Sequence, residues 1–232
     1  MSSAASGYFC AVVEYLNDSF YRKGLLKREV LQDAQGRPFT ETENSYQLRD
    51  VATGAVTADS GSAAATIFPE MIRTDKRFYE GNVSPGKTTF TTHDYDALGN
   101  IIRFTDDGEP LVATDNVEAT IAYTQCEPMS YLSKPKHIEV KGNSTTMRLR
   151  DADIECATGN LTQVRQSLLG GSTAVTELAY FTNGNLQMVK GPATKALQNY
   201  TLTYTYDPDV ATHVASITDS FGLSSQDRKS VV

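Results

Sequence analysis

Between Asn199 and Asp207 the chain reads NYTLTYTYD, with Tyr200, Leu202, Tyr204 and Tyr206 alternating with Thr201, Thr203 and Thr205. A period of two sends successive side chains to opposite faces, so the pattern predicts a strand with one aromatic face and one hydroxylated face. Tyr and Thr suit such a surface because aromatic and β-branched side chains pack on their cross-strand neighbours. KHIEVKGNSTTMRLR, from Lys136 to Arg150, reads as two strands around a turn at Gly142 and Asn143. Three further stretches repeat one another: YDALGNIIRF, ECATGNLTQV and YFTNGNLQMV. Aligned on Gly99, Gly159 and Gly184, each continues with Asn100, Asn160 or Asn185 and an aliphatic residue (Ile101, Leu161, Leu186). Two variable residues follow, then an apolar one (Phe104, Val164, Val189). The two apolar positions are three apart, which in a regular strand puts them on opposite faces. Either both faces meet something or a bulge restores the alternation, and both readings stay open.

Gly-Asn also occurs at Gly81 and Gly142, which makes five such pairs along the chain. Gly takes positive φ without a Cβ clash and Asn tolerates that region, so each pair suits a tight reversal between strands. Each unit is then a hairpin. A unit of about 20 residues cannot close its own core, so successive units are expected to stack or join into one extended sheet. The predicted class is mainly β, built of consecutive antiparallel hairpins, with helix minor.

Composition changes this picture little. The chain has 232 residues, 40% of them hydrophobic and 21% charged, which fits a folded globular protein. A net charge of -7 disfavours phosphate, and no basic run interleaved with aromatics offsets it, so nucleic acid is not expected as a partner. The densest basic stretch, YRKGLLKRE from Tyr21 to Glu29, reads as a solvated segment. No window approaches the roughly 18 consecutive apolar residues of a membrane span, so membrane insertion is not expected. The N-terminus lacks a charged leader region and its apolar run is broken by Glu14 and Asn17, a poor signal peptide. Asn-x-Ser/Thr triplets begin at Asn17, Asn82, Asn143, Asn160 and Asn199, as expected of any turn-rich β protein.

Candidate chemistry is sparse. Cys10, Cys126 and Cys156 form no CxxC pair and have no histidine at ligand spacing, so no zinc site is predicted. The odd count disfavours a disulfide scaffold, a single bridge stays open, and Cys156 reads as a packed thiol. His93, His137 and His213 lie far apart and read as hydrogen-bonded surface residues. TDDGEP, from Thr105 to Pro110, offers Asp106, Asp107 and Glu109 as oxygen ligands but lacks EF-hand spacing. It reads instead as a turn with Asx hydrogen bonds and a Gly at positive φ. LLGGSTAV, from Leu168 to Val175, has no nucleophile-elbow context. No catalytic, cofactor or metal residue is predicted. The tyrosine face reads as sheet packing, with stacking on a sugar as its alternative.

Tyr95-Asp96 before Gly99-Asn100, Thr105-Asp106 before Gly108, Tyr206-Asp207, and Thr218-Asp219 before Gly222 resemble the tyrosine-aspartate repeats of the Rhs family. FYRKGLLKREVLQD, ATGNLTQVRQ and YDPDVATHVASITDSFG are more narrowly similar to the middle-to-repeat region of the B component of bacterial insecticidal toxin complexes. The resemblance covers about residues 20 to 226. It implies an extended curved sheet forming part of a hollow shell that encloses a toxic cargo domain. It also implies as partners a C-component shell with its cargo and a pore-forming A component. The family's docking propeller and aspartic self-cleaving site match no positions here, so no catalytic residue is carried over. Glu155-Cys156 and Tyr180-Phe181 replace the Tyr-Asp pair in two units, which leaves hairpin register open.

VATGAVTADSGSAAA, from Val51 to Ala65, loses its large side chains and reads as a flexible loop closing an N-terminal segment, residues 1–65. The repeat region is expected over 66–226 and an atypical end, DRKSVV, over 227–232, as though the chain were part of something longer. The expected role is a non-enzymatic structural segment of a cargo-enclosing shell, with recognition of a glycan or cell-surface protein as the alternative. The expected location is bacterial cytoplasm before export, then secreted without a recognisable signal peptide.

Overall fold

The computed structural model describes residues 10–58, 66–112, 114–126, 133–168 and 170–227. Sixteen strands and no helix occur among them. The chain divides into two compact units, Met1–Thr120 with Val140–Thr146, and Ile121–Glu139 with Met147–Val232.

The first unit holds β1 (Cys10–Tyr15), β2 (Leu26–Gln32), β3 (Pro38–Asp50), β4 (Val56–Thr57), β5 (Ile67–Phe78), β6 (Lys87–Tyr95), β7 (Ile101–Asp106) and the start of β8 (Val117–Tyr123). Every pairing among them is antiparallel and, apart from the short β4 beside β3, each strand pairs with the next in sequence. Within the stretch expected as a flexible loop, β4 folds back on Leu48 and Arg49, and Gly54 N–H donates to the Asp50 carbonyl at 2.7 Å. Residues 59–65 of that stretch lie outside the described residues.

After β9 (Pro135–Gly142), which like β10 (Thr145–Glu155) has residues in both units, the second unit continues with β11 (Asn160–Ser167), β12 (Thr173–Tyr180) and β13 (Leu186–Ala193). It ends with β14 (Asn199–Tyr206), β15 (Val214–Asp219) and β16 (Ser224–Gln226), again an antiparallel meander in sequence order. The predicted alternation over Asn199–Asp207 is β14. The turn expected at Gly142-Asn143 sits one residue later, because Asn143 (φ 49) and Ser144 (φ 65) take the left-handed conformation. Two consecutive positive-φ residues make a reversal whose twist matches the flanking strands. Residues 228–232 of the expected atypical end lie outside the described residues.

Bulges resolve the odd spacing. Tyr95 pairs with Ile101 while Asp94 pairs with Arg103, so Ile102 is the extra residue and Ile101 and Phe104 return to one face. The same slip occurs at Gln187, between Leu186 opposite Tyr180 and Met188 opposite Ala179, and at Thr162 opposite the Asp153–Ile154 step.

Few side chains are buried. Among the described residues the buried apolar set is Val30, Leu48 and Cys126, against four buried carboxylates, Asp33, Glu41, Glu70 and Asp207. Sheets with so little interior are held by ladder hydrogen bonds and cross-strand side-chain pairs, so buried charge has to be matched locally.

Candidate functional site: the tyrosine-aspartate turns

The repeated residues form one device, clearest at Tyr95-Asp96. Asp96 N–H donates to the Asn100 carbonyl at 2.9 Å, and Gly99 N–H donates to the Asp96 carbonyl at 3.1 Å. The chain thus reverses through a turn that needs positive φ at its fourth residue, and Gly99 has φ 82. Asp96 Oδ1 accepts the N–H groups of Leu98 and Asn100, each at 2.9 Å, and Oδ2 accepts Asn100 Nδ2 at 2.9 Å. A short carboxylate immediately after the strand is the right length to satisfy amides that the tight turn leaves without ladder partners.

The device recurs with variations. Asp219 Oδ1 accepts Phe221 N–H at 2.9 Å and Leu223 N–H at 2.8 Å. Asp33 Oδ1 accepts Gln35 N–H at 3.0 Å and Arg37 N–H at 2.9 Å. Desolvation pushes the Asp33 carboxyl up, but the amides and guanidinium of Arg37 and the Gln35 amide outweigh it and hold it below the usual range. Asp207, buried, caps a wider loop through Asp209 N–H at 2.9 Å and Val210 N–H at 3.0 Å, and its own N–H donates to His213 O at 2.8 Å. At Gly184 (φ 88) the geometry persists without an aspartate: Phe181 N–H donates to Asn185 O at 2.8 Å, and Asn185 N–H donates to Asn183 Oδ1 at 3.1 Å. Asn185 Nδ2 also reaches the Ala211 carbonyl. At Gly159 (φ 74) the turn is rearranged, with Gly159 N–H donating to Glu155 O at 2.7 Å and Asn160 N–H to Thr158 Oγ1 at 3.2 Å.

The tyrosines join one hairpin to the one before it. Tyr46 hydroxyl donates to the Leu26 carbonyl at 2.9 Å, Tyr95 to Met71 at 3.0 Å, Tyr180 to Leu161 at 2.9 Å and Tyr206 to Leu186 at 2.9 Å. Each acceptor is the residue at which the preceding ladder slips: Met71 faces Tyr46 and Leu186 faces Tyr180. A bulge frees a carbonyl from the ladder, and the next tyrosine supplies its donor. Burial raises the pKa of Tyr46, Tyr95 and Tyr180, which keeps the donating proton in place.

Of the predicted positions, the structure gathers Tyr95, Asp96, Gly99 and Asn100 into one turn, and it places Tyr206 6.0 Å edge-on to Phe181. The histidines do not form a common site. His137 Nδ1 lies 2.7 Å from Asp151 Oδ1, and His213 Nε2 lies 2.6 Å from Asp227 Oδ2. His93, expected as a hydrogen-bonded surface residue, is half-buried 5.3 Å from the Phe104 ring, and its buried Nδ1 has no partner among the described residues. Burial lowers its pKa, against a backbone hydrogen bond to Met71. In TDDGEP, Asp106 Oδ1 accepts Gly108 N–H at 3.0 Å with Gly108 at φ 51, the expected Asx turn. Among the described residues no group of three or more His, Cys, Asp or Glu is placed to hold a metal. An open groove of about 570 Å³ is lined by Arg103, Asp107, Glu118 and Lys141 with Asn and Ser neighbours, and Arg103 Nε is tied to Glu118 Oε2 at 2.9 Å.

Sequence reasoning missed three features and misread a fourth. The Asp33 turn escaped because Arg37, not Asn, follows Gly36; the Asp-to-Gly spacing of three residues was the available signal. Fully buried Glu70 accepts Gln47 Nε2 at 2.6 Å and Arg49 Nη2 at 3.0 Å, with Arg49 Nε on its other oxygen. Glu41 accepts Arg28 Nε at 3.1 Å, Arg77 Nη1 at 2.7 Å and the Tyr79 hydroxyl at 3.1 Å, which bridges β2, β3 and β5. Cys156 is not a packed thiol: it is bonded to Cys126, with Cα atoms 5.2 Å apart.

No protein-family model matches the chain, and no curated protein matches it. Among solved structures it is similar to a chain of the Photorhabdus luminescens Tc holotoxin pore, at 12% identity and TM-score 0.44 over 93% of this chain and 13% of that one. It is similar to the TcdB2–TccC3 crystal structure at 11% identity and TM-score 0.27, over 94% of this chain and 14% of that one. A porin-like protein from Bacteroides uniformis gives 12% identity and TM-score 0.37 over 87% of this chain and 83% of that one. The chain spans about one seventh of the toxin-complex chains it matches.

Proposed function

We propose that this chain is a non-enzymatic wall segment of a β-shell of the Rhs or toxin-complex kind, whose work is to enclose a cargo toxin domain. The observation that supports this reading is the linkage of hairpins, in which the hydroxyls of Tyr46, Tyr95, Tyr180 and Tyr206 are each given to the bulge of the hairpin before it. The carboxylates are engaged in the same way, within turns, so the repeat extends a sheet and its polar groups serve the backbone. The partners under this reading are a second shell component carrying the cargo and a pore-forming component, and the segment acts after export. The test mixes the purified chain with a toxin-complex shell component bearing its cargo domain. Co-elution and slower proteolysis of the cargo are expected. Lack of association with shell components, together with saturable binding on a glycan array, would overturn the reading.

A second reading, a glycan-recognition module, has one observation in its favour. Tyr200 (42% exposed) and Phe221 (78% exposed) form a solvent-facing aromatic pair, with ring centroids 6.0 Å apart. Sugars stack on such faces. Under this reading the double change Tyr200→Ala/Phe221→Ala abolishes array binding without altering the melting temperature of the sheet.

A further inference from the structure

We infer that the Cys126–Cys156 bond is a conditional lock, open in the chain as made in a reducing compartment and closed by oxidation once the chain leaves it. This inference rests on the export included in the proposed function, and its test uses no shell component, so the two can fail separately. Cys156 stands three residues before Gly159, the position that Asp33, Asp96 and Asp219 hold before Gly36, Gly99 and Gly222. Those aspartates cap two turn amides each. Cysteine cannot, and the β10–β11 turn leaves Asn160 N–H to a neighbouring hydroxyl, Thr158 Oγ1. Besides its own bonds to Glu155, this turn is tied to residues on either side of the β8–β9 connection. The disulfide anchors it at Cys126, and Lys134 Nζ donates to the carbonyl of Gly159. Thr124 N–H donates to Lys134 O at 2.9 Å. One hairpin of the array thus has a redox-dependent fastening in place of a carboxylate cap.

The two sulfurs are unequal. Cys156 is exposed while Cys126 is 1% exposed. Closure proceeds by exchange: the exposed Cys156 thiolate attacks a small disulfide such as oxidised glutathione, and its first thiol leaves. The Cys126 thiolate then attacks the mixed disulfide at the Cys156 sulfur, and the second thiol leaves. Two electrons and two protons pass from the cysteines to the glutathione, which ends as two thiols. Reopening requires attack at Cys156, with Cys126 leaving as a thiolate in a buried position where charge is disfavoured, so the closed state resists reduction. Disulfides of this kind persist in oxidising compartments and are rare in the cytosol.

The test uses the full chain carrying Cys10→Ser, purified under reductant and then incubated with oxidised glutathione. Two thiols are expected to disappear, and the melting temperature to rise by about 8–12 °C, the scale for closing a loop of this size in a chain of this length. Amide exchange at Thr124, Gly159 and Asn160 is expected to slow at least about tenfold on oxidation while β13–β14 amides stay unchanged. A Cys126→Ser/Cys156→Ser chain should behave as the reduced form; the comparison of reduced and oxidised protein does not depend on that variant folding. Failure of the bond to form with oxidised glutathione, or equal exchange at those amides before and after it forms, would overturn the inference.

Discussion

Replacing glycine in two otherwise similar turns separates backbone strain from crowding. Gly99 and Gly184 have φ 82 and 88, so any L side chain is strained at both. A Cβ at Gly184 meets nothing within 4 Å among the described residues, whereas a Cβ at Gly99 meets the Phe68 ring at 3.1 and 3.2 Å. Gly184→Ala should therefore report the left-handed conformation alone, about 1–2 kcal/mol. Gly184→Val should cost about 1–3 kcal/mol and Gly184→Asn distinctly less, because Asn tolerates this region and a β-branched side chain does not. Gly99→Ala adds the displacement of the Phe68 ring, about 1 kcal/mol more, and that increment should vanish in a Phe68→Leu background. Urea melts with unchanged slope measure each difference, and the melting temperature should move about 2–4 °C per kcal/mol. Equal stability of the Val and Asn variants at position 184 would refute the claim that the turn requires positive φ. An Ala penalty at 99 no larger than at 184 would refute the steric part.

Tyr95→Phe leaves the Met71 carbonyl without its hydroxyl donor and should cost about 0.5–1.5 kcal/mol, with faster amide exchange at the β5 bulge as the local readout. Arg49→Ala strands the fully buried Glu70 carboxylate and should cost about 3 kcal/mol in a denaturant melt, while Gln47→Ala, which leaves the guanidinium in place, should cost less. The Glu41 carboxyl is held below its ordinary value of 4.5, chiefly by the Arg28 hydrogen bonds acting against desolvation. A depressed carboxyl contributes stability that is complete above its unfolded pKa and lost as pH falls through the folded one. Acid titration followed by circular dichroism should therefore show a loss beginning below about pH 4.5 that Glu41→Gln reduces. An identical acid limb in that variant would contradict the assignment.

Much of the fold is local and so was legible. The tyrosine-threonine alternation of β14 and the Gly-Asn reversals depend on φ preferences and side-chain direction over a few residues. The bulges were half legible: the three-residue spacing from Ile101 to Phe104 demanded one of two explanations, and only the pairing of Ile101 with Tyr95 chooses between them. What escaped is non-local. Cys126 and Cys156 are 30 residues apart, and nothing in the spacing says that two strand ends meet. Glu70 sits in IFPEMIRT, where a polar residue between apolar ones signals a solvent-facing position; its burial depends on Gln47 and Arg49 from another strand. The aspartate of YD was read as a family mark, and its work as an acceptor for two amides appears only when the turn is built.

Because the tyrosine that completes a bulge comes from the hairpin that follows, order in this array has a direction. Met71 receives its donor from Tyr95 and Leu186 from Tyr206, so at these bulges the earlier hairpin is completed only when the later one folds against it. At these positions each later turn consolidates the one before it.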